Sequence, residues 1–365
     1  GSAYLDTFSG IAVCGLGHAH PDVTKTIQHQ AAKLLHTSNA FQIQEQTLLA
    51  ERLTQLSGME QVFFSNSGAE ANEAAIKLAR LYGHKKGIDT PSIIVMENAF
   101  HGRTMATLTA SGSRKVQAGF EPLLPGFVRA PFNDIKALRA IAANSHDIVA
   151  VMLEPIQGEG GVLVADETYL RAVAALCEEQ DWLFILDEVQ TGNGRTGKLF
   201  NFMDVGIHPD VVTTAKGLGN GIPIGACLMR NRACDLFKPG NHGSTFGGNP
   251  LACATALTVL NVIERDKLCE QVTRNSVILR DKLMNELGDN PHVKSIRGKG
   301  YMLGIELDKP ANDIKKLALS NGLLLNVTAE SVVRLLPPLI ISLEEIDELV
   351  NRLVMTINQL NQVMT

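Results

Sequence analysis

VVTTAKGLGNGIPIGA, residues 211–226, is the stretch on which the reading of this chain turns. The β-branched run Val211–Thr214 predicts a strand. Ala215 and Lys216 follow, then the alternate glycines Gly217, Gly219 and Gly221. Glycine at that density permits a tight turn and the close approach of a bulky group. A lysine just past an apolar strand is poorly placed as a solubilising charge. Burial lowers a lysine pKa readily and leaves an amine able to form a Schiff base with a carbonyl. A lone lysine in a glycine-rich turn can equally be an ordinary surface residue. The ends of the other strands decide between the two.

Gln61–Phe64 predicts a strand leading into SNSGAEANEAAIKLARLYG, residues 65–83. Ser67 and Glu70 form a capping-box pattern, so a helix should begin at Gly68. With small residues at Ser67, Gly68 and Ala69, its first N–H groups and its dipole suit a phosphate. Ser92–Met96 is a second strand, followed by Phe100, a flat face for stacking, and Arg103, a fork for a carboxylate. Asp147–Leu153 is a continuous apolar strand before Glu154-Pro-Ile-Gln-Gly-Glu159, and Trp182–Leu186 is another before Asp187 and Glu188. Apolar strands alternating with helices predict an α/β fold whose mainly parallel sheet is covered on both faces. In such sheets ligands bind beyond the carboxyl ends of the strands. Ser67, Phe100, Glu154, Asp187 and Lys216 all follow such ends and are expected to share one site.

The remaining segments bound the answer. The chain has 365 residues, 45% of them hydrophobic and 19% charged, enough for a large core and a second, smaller domain. A net charge of −5 without a basic run argues against nucleic acid as a partner. No apolar run reaches membrane-spanning length and no signal-peptide pattern is present. Six cysteines without a Cys-x-x-Cys pair suit a reducing cytoplasm and suggest no metal site. Tyr4–Val13 reads as extended, residues 111–134 as a long loop, and Leu48, Leu49, Leu53 and Leu56 as one helical face. From about residue 262 the pattern becomes α+β: helices over 271–287 and 311–320, strands over 301–307, 323–326 and 332–336, and a final helix capped by Ser342 and Glu345. Gly192-Asn-Gly194-Arg-Thr-Gly197 fits a dinucleotide-binding turn, but no sustained helical period follows it.

An amine, a carboxylate and a phosphate cradle at three strand ends are the set that pyridoxal phosphate requires. Here the sequence resembles the class-III pyridoxal-phosphate aminotransferases of fold type I, most closely their bacterial acetylornithine branch. The resemblance covers nearly the whole chain. It is carried in order by GIAVCGLGHAHP, SNSGAEANEAAIKLAR, NAFHGRT, EPIQGEGGV, LDEVQTGNGRTG, TTAKGLGNGIPIGA and HGSTFGGNPLAC.

It implies a large cofactor-binding domain over 36–261 and a small α+β domain from 1–35 and 262–365. It implies Lys216 as the Schiff-base lysine, Asp187 as the partner of the pyridine nitrogen and Gln190 as that of the ring hydroxyl. Phe100 would stack on the ring, and Ser67, Gly68 and Ala69 would hold the phosphate. Thr245 would reach the phosphate of a neighbouring subunit in a homodimer with shared sites. Arg103, Glu159 and Arg334 would bind substrate, Glu159 masking Arg334 until a dicarboxylate arrives. The implied reaction moves the side-chain amino group of N2-acetylornithine to 2-oxoglutarate, a step of arginine biosynthesis. Ornithine, 4-aminobutyrate, succinylornithine and succinyl-diaminopimelate are alternative donors, and glutamate-1-semialdehyde aminomutation is an alternative reaction. A degenerate binding scaffold is the non-enzymatic alternative, opposed by the Lys216–Asp187 pair. Family members usually begin earlier, and Gly1-Ser2 reads as a cloning remnant, so a native N-terminal segment that lines the substrate pocket is expected to be missing.

Overall fold

The centre of the chain is a seven-stranded sheet in the computed structural model, which describes residues 1–311 and 313–363, with side chains through Leu360. Its strands are β1 (Gln61–Ser65), β2 (Ser92–Met96), β3 (Phe127–Ala130), β4 (Ile148–Leu153), β5 (Leu183–Asp187), β6 (Val211–Thr214) and β7 (Gly225–Met229). Their order across the sheet is β1-β7-β6-β5-β4-β2-β3. Strand β7 alone runs against its neighbours, pairing antiparallel with both β1 and β6. The reason is the connection: residues 215–224 contain no crossover helix, so the chain returns directly beside β6.

Alternate residues of each strand enter two cores. Ile94, Met96, Phe184, Leu186 and Val212 pack with Leu49 and Leu53 of helix α1 (Gln44–Ser57). Ile93, Val95, Leu183, Ile185 and Val211 pack with Ala75, Leu78 and Ala79 of α2 (Gly68–Lys85). Burial on both faces explains why these strands are apolar throughout rather than alternating. Leu48, expected on the buried face of α1, is exposed.

A second, four-stranded sheet has the order β8-β9-β11-β10, from β8 (Val293–Lys299), β9 (Met302–Leu307), β10 (Asn326–Thr328) and β11 (Val332–Leu335). It packs with helix α3 (Leu268–Leu287) and α4 (Leu343–Val363), whose Ile346, Leu349, Leu353 and Ile357 are buried as the spacing predicted. Ser342 and Glu345 close the capping box on α4.

Several local expectations are corrected. Residues 111–134 are not one loop: they hold a helical turn, Arg114–Gln117, and strand β3. That edge strand is short and half exposed, so its pattern is weak and its pairing with β2 defines it. Residues 4–13 contain a short strand, Leu5–Asp6, and a turn, Ser9–Ala12, in place of one extended run. A short helix, Asn201–Val205, follows the glycine-rich turn and stops at the left-handed Gly206. The helix expected over 311–320 begins at Ile314, and Asn312 lies outside the described residues.

Candidate active site

A cavity of about 380 Å³ opens where β1, β2, β5 and β6 end. Ser67, Gly68, Ala69, Phe100, Arg103, Asp187, Gln190 and Lys216, eight of the residues singled out in the sequence, all line it, as does Glu154.

Asp187 ends β5 and is buried. Its Oδ2 accepts from Asn72 Nδ2 at 2.7 Å and from His101 Nδ1 at 2.8 Å, and its Oδ1 from the Val189 N–H at 3.0 Å. Three donors fix the carboxylate in one orientation. Two of them, Asn72 and His101, were not assigned a role from sequence. Asn72 carried a readable signal, since it interrupts the apolar stripe of Ala71, Ala75 and Ala79 on the inner face of α2.

Lys216 has a positive φ of 45°, a left-handed conformation costing an L-residue roughly 1–3 kcal/mol. The residues just before it are held by Asn193, whose Nδ2 donates to Thr214 Oγ1 at 2.9 Å and to the Ala215 carbonyl at 3.1 Å. Burial lowers the Lys216 pKa, and the Arg334 guanidinium lowers it further, against Asp187, Glu159 and Glu154. An amine that loses its proton readily is the form that attacks a carbonyl.

At the start of α2, Ser67 Oγ accepts from the Glu70 N–H at 3.2 Å. Glu70 reaches back to the Asn66 N–H, one residue earlier than the ideal box. Gly68 and Ala69, the first two helical residues, therefore present N–H groups with no intrahelical acceptor. A Cβ on Gly68 would lie 2.7 Å from Val189 Cγ1, so only glycine lets the helix start close over that side chain. Phe100 and Val189 supply apolar wall. Arg103 is exposed at the site, its guanidinium carbon 5.8 Å from the Phe100 ring centre, with no ion pair among the described residues.

Three predicted residues, Arg334, Glu159 and Thr245, do not line the cavity. Arg334 lies behind its wall with a fully buried side chain. Its Nη1 donates to Glu159 Oε1 at 2.7 Å and to Gln190 Oε1 at 3.0 Å, and its Nε to Asn326 Oδ1 at 3.1 Å. Thr245 is exposed in a separate depression that it shares with Asn66 and Glu70. Among the described residues no three His, Cys, Asp or Glu side chains converge on a metal site.

An amine of lowered pKa, a triply supported carboxylate and an open helix start around one cavity fit pyridoxal phosphate, and no other resident group is indicated by these donors. The fold and this site define a pyridoxal-phosphate transferase. The family model for aminotransferase class-III matches residues 1–357, and the chain belongs to that family of pyridoxal-phosphate-dependent transaminases. It is 55% identical over 354 residues to an acetylornithine aminotransferase of Nitrosomonas europaea, covering 96% of this chain and 89% of that relative. An ornithine aminotransferase structure from Toxoplasma gondii, described with the cofactor at its active site, superposes with a TM-score of 0.95 at 35% identity, covering 99% of this chain and 87% of that one. An acetylornithine aminotransferase structure from Elizabethkingia anophelis gives a TM-score of 0.88 at 38% identity, covering 98% and 90%.

Proposed function

We propose that the chain transfers the side-chain amino group of N2-acetylornithine to 2-oxoglutarate, as a cytoplasmic homodimer. The pair of buried Arg334 and half-buried Glu159 carries the reading, because Arg334 touches the cavity wall through Gln190. An enzyme that alternates between an ω-amine and a dicarboxylate needs a cation it can neutralise for the first and expose for the second. The acetylated donor is supported by the Nitrosomonas europaea relative.

Bound pyridoxal phosphate supplies a conjugated ring that takes up the electron pair left when a proton leaves the substrate carbon. The N–H groups of Gly68 and Ala69, with Ser67, would hold its phosphate. Asp187 would keep a proton on the ring nitrogen, and Gln190 would meet the ring hydroxyl. Phe100 would stack on the ring and keep water from it. Lys216 Nζ would hold the aldehyde carbon until the substrate amine displaces it, and the freed amine would then move the substrate proton as a general base. Arg103 holds the α-carboxylate of the amino donor. When glutamate or 2-oxoglutarate binds, Glu159 leaves Arg334, which takes the α-carboxylate, and Arg103 takes the other.

Exposed Phe41, Leu35 and Phe246 support a second copy over the region of Thr245, whose hydroxyl then serves the partner's phosphate. The six free cysteines agree with a reducing compartment, and among the described residues no helix is long and apolar enough to cross a membrane. Two bodies, residues 36–261 and residues 1–35 with 262–365, would carry the cofactor and the Arg334 side of the pocket.

The test is the donor half-reaction with N2-acetylornithine, ornithine, 4-aminobutyrate and succinylornithine, followed by cofactor absorbance. N2-acetylornithine is expected to react with the highest kcat/KM, and faster turnover of free ornithine would overturn the assignment.

A further inference from the structure

Strand β10 touches both members of the Arg334–Glu159 pair, at different atoms. Asn326 lies opposite Arg334 in the β10–β11 register, and its Oδ1 accepts from Arg334 Nε at 3.1 Å. Two residues along, Thr328 Oγ1 donates to the main-chain carbonyl of Glu159 at 2.6 Å. The same loop is clamped again at Gly161, whose carbonyl accepts from Arg297 Nε at 3.0 Å and Nη2 at 2.7 Å. The backbone around Glu159 is thereby held, while its carboxylate has Arg334 as its one hydrogen-bond partner among the described residues.

The two side chains differ in freedom. Glu159 is 37% exposed and can turn toward solvent, whereas Arg334 is fully buried. When Glu159 turns away, Arg334 keeps Asn326 on Nε and Gln190 on Nη1. Arg334 Nη2 is buried without a partner among the described residues. Asn326 occupies the Nε side, so the Nη1–Nη2 edge is left for a two-pronged carboxylate contact.

We infer that Asn326 is a specificity-determining positioning residue, which aims the Nη1–Nη2 edge of Arg334 at a dicarboxylate, while Thr328 keeps the Glu159 mask in register with it. This rests on the reading of Arg334 as the binder of the dicarboxylate. A hydrogen bond to the fixed side of a buried guanidinium restricts its rotation without competing for the incoming carboxylate, because an amide oxygen carries no net charge. Thr328 acts with the opposite sign: it favours the masked state by placing the competing carboxylate.

The test uses the holoenzyme and glutarate, a dicarboxylate that cannot be transaminated, with its Kd measured by calorimetry beside both half-reaction rates. Asn326→Leu, close in shape, is expected to raise the glutarate Kd about tenfold, the scale of one charge-assisted hydrogen bond, and to lower glutamate kcat/KM about tenfold more than that of the ω-amine donor. Asn326→Asp is expected to raise the glutarate Kd further, since a fixed carboxylate then repels the ligand. Thr328→Val is expected to lower the glutarate Kd and slow the donor half-reaction. Arg334→Ala is the control. If it leaves glutarate binding intact, the underlying reading of Arg334 fails. If it abolishes binding while Asn326→Leu and Thr328→Val shift Kd in the same direction, or Asn326→Leu weakens donor and dicarboxylate equally, the inference about β10 fails and the reading of Arg334 stands.

Discussion

His101 Nδ1 donates to Asp187 Oδ2 across 2.8 Å, with the imidazole wholly removed from solvent. Burial by itself would lower the His101 pKa. The hydrogen bond to Asp187 and the charges of Asp187 and Glu154 outweigh it and raise that pKa. Asp187 is thus a supported anion rather than an isolated one, with Asn72 on the same oxygen at 2.7 Å. Removing the imidazole donor in His101→Leu should cost each half-reaction about tenfold in rate, since the loss falls on the carboxylate that serves both. Single-turnover rates with the amino donor and with 2-oxoglutarate decide it; an unchanged pair of rates would remove His101 from the site.

Lys216→Ala should still bind the cofactor through Gly68, Ala69 and Asp187 but hold it without a covalent link. Borohydride reduction followed by peptide mapping reads this directly. Wild-type protein should carry the label on the peptide containing Lys216, and a label elsewhere would reassign the nucleophile.

Asp187→Asn keeps an oxygen that can accept from His101 and Asn72, so folding and cofactor binding should survive. The neutral amide cannot hold a ring proton as a carboxylate does, and the chemical step should lose at least ~3 kcal/mol. Stopped-flow traces of the variant at near wild-type rate would contradict that role.

Glu159→Gln and Arg334→Ala should act asymmetrically. The first leaves Arg334 charged and unmasked and should shift preference toward glutamate. The second should cost the glutamate half-reaction roughly 2–5 kcal/mol, the scale of a lost buried arginine–carboxylate contact, and the ω-amine far less. Equal losses on both sides would reduce the pair to a structural ion bridge.

A pH dependence follows from Glu188, the fully buried residue after Asp187. Its carboxylate accepts from Asn201 N at 2.7 Å, Phe202 N at 2.8 Å and Thr191 Oγ1 at 2.8 Å. Burial outweighs these bonds and pushes its pKa from 4.5 up to about 7. The folded chain then binds this proton more tightly than the unfolded chain. The stability it contributes is full below pH 4.5 and is lost as pH rises to about 7. Urea unfolding of the apoprotein at about pH 5 and about pH 8 should show a fall that Glu188→Gln reduces by on the order of 2 kcal/mol. The same slope in both proteins would place the titrating group elsewhere.

What the chain wrote into its sequence are features set within a few residues of one another. The caps at Ser67 and Ser342 and the periodicity of α1 and α4 arise from local sterics and short-range hydrogen bonds, and the apolar runs of β2, β4, β5 and β6 are continuous stretches readable in place. The rule that ligands gather beyond parallel strand ends then sufficed to bring Ser67, Phe100, Glu154, Asp187 and Lys216 to one cavity. Contacts between residues far apart in the chain were left to tertiary structure. Asn72 and His101 meet Asp187 across separations of 115 and 86 residues, and no local signal names the oxygen they share. The antiparallel course of β7 follows from its short, helix-free connection to β6, and the edge pairing of β3 depends on β2 being free to supply hydrogen bonds. Arg334 sits in an apolar run, VVRLLPP, where a charge is costly; its register opposite Asn326 and its contact with Glu159 exist only once two β-strands and a distant loop have packed, because a buried guanidinium is tolerable only where the fold itself supplies its acceptors.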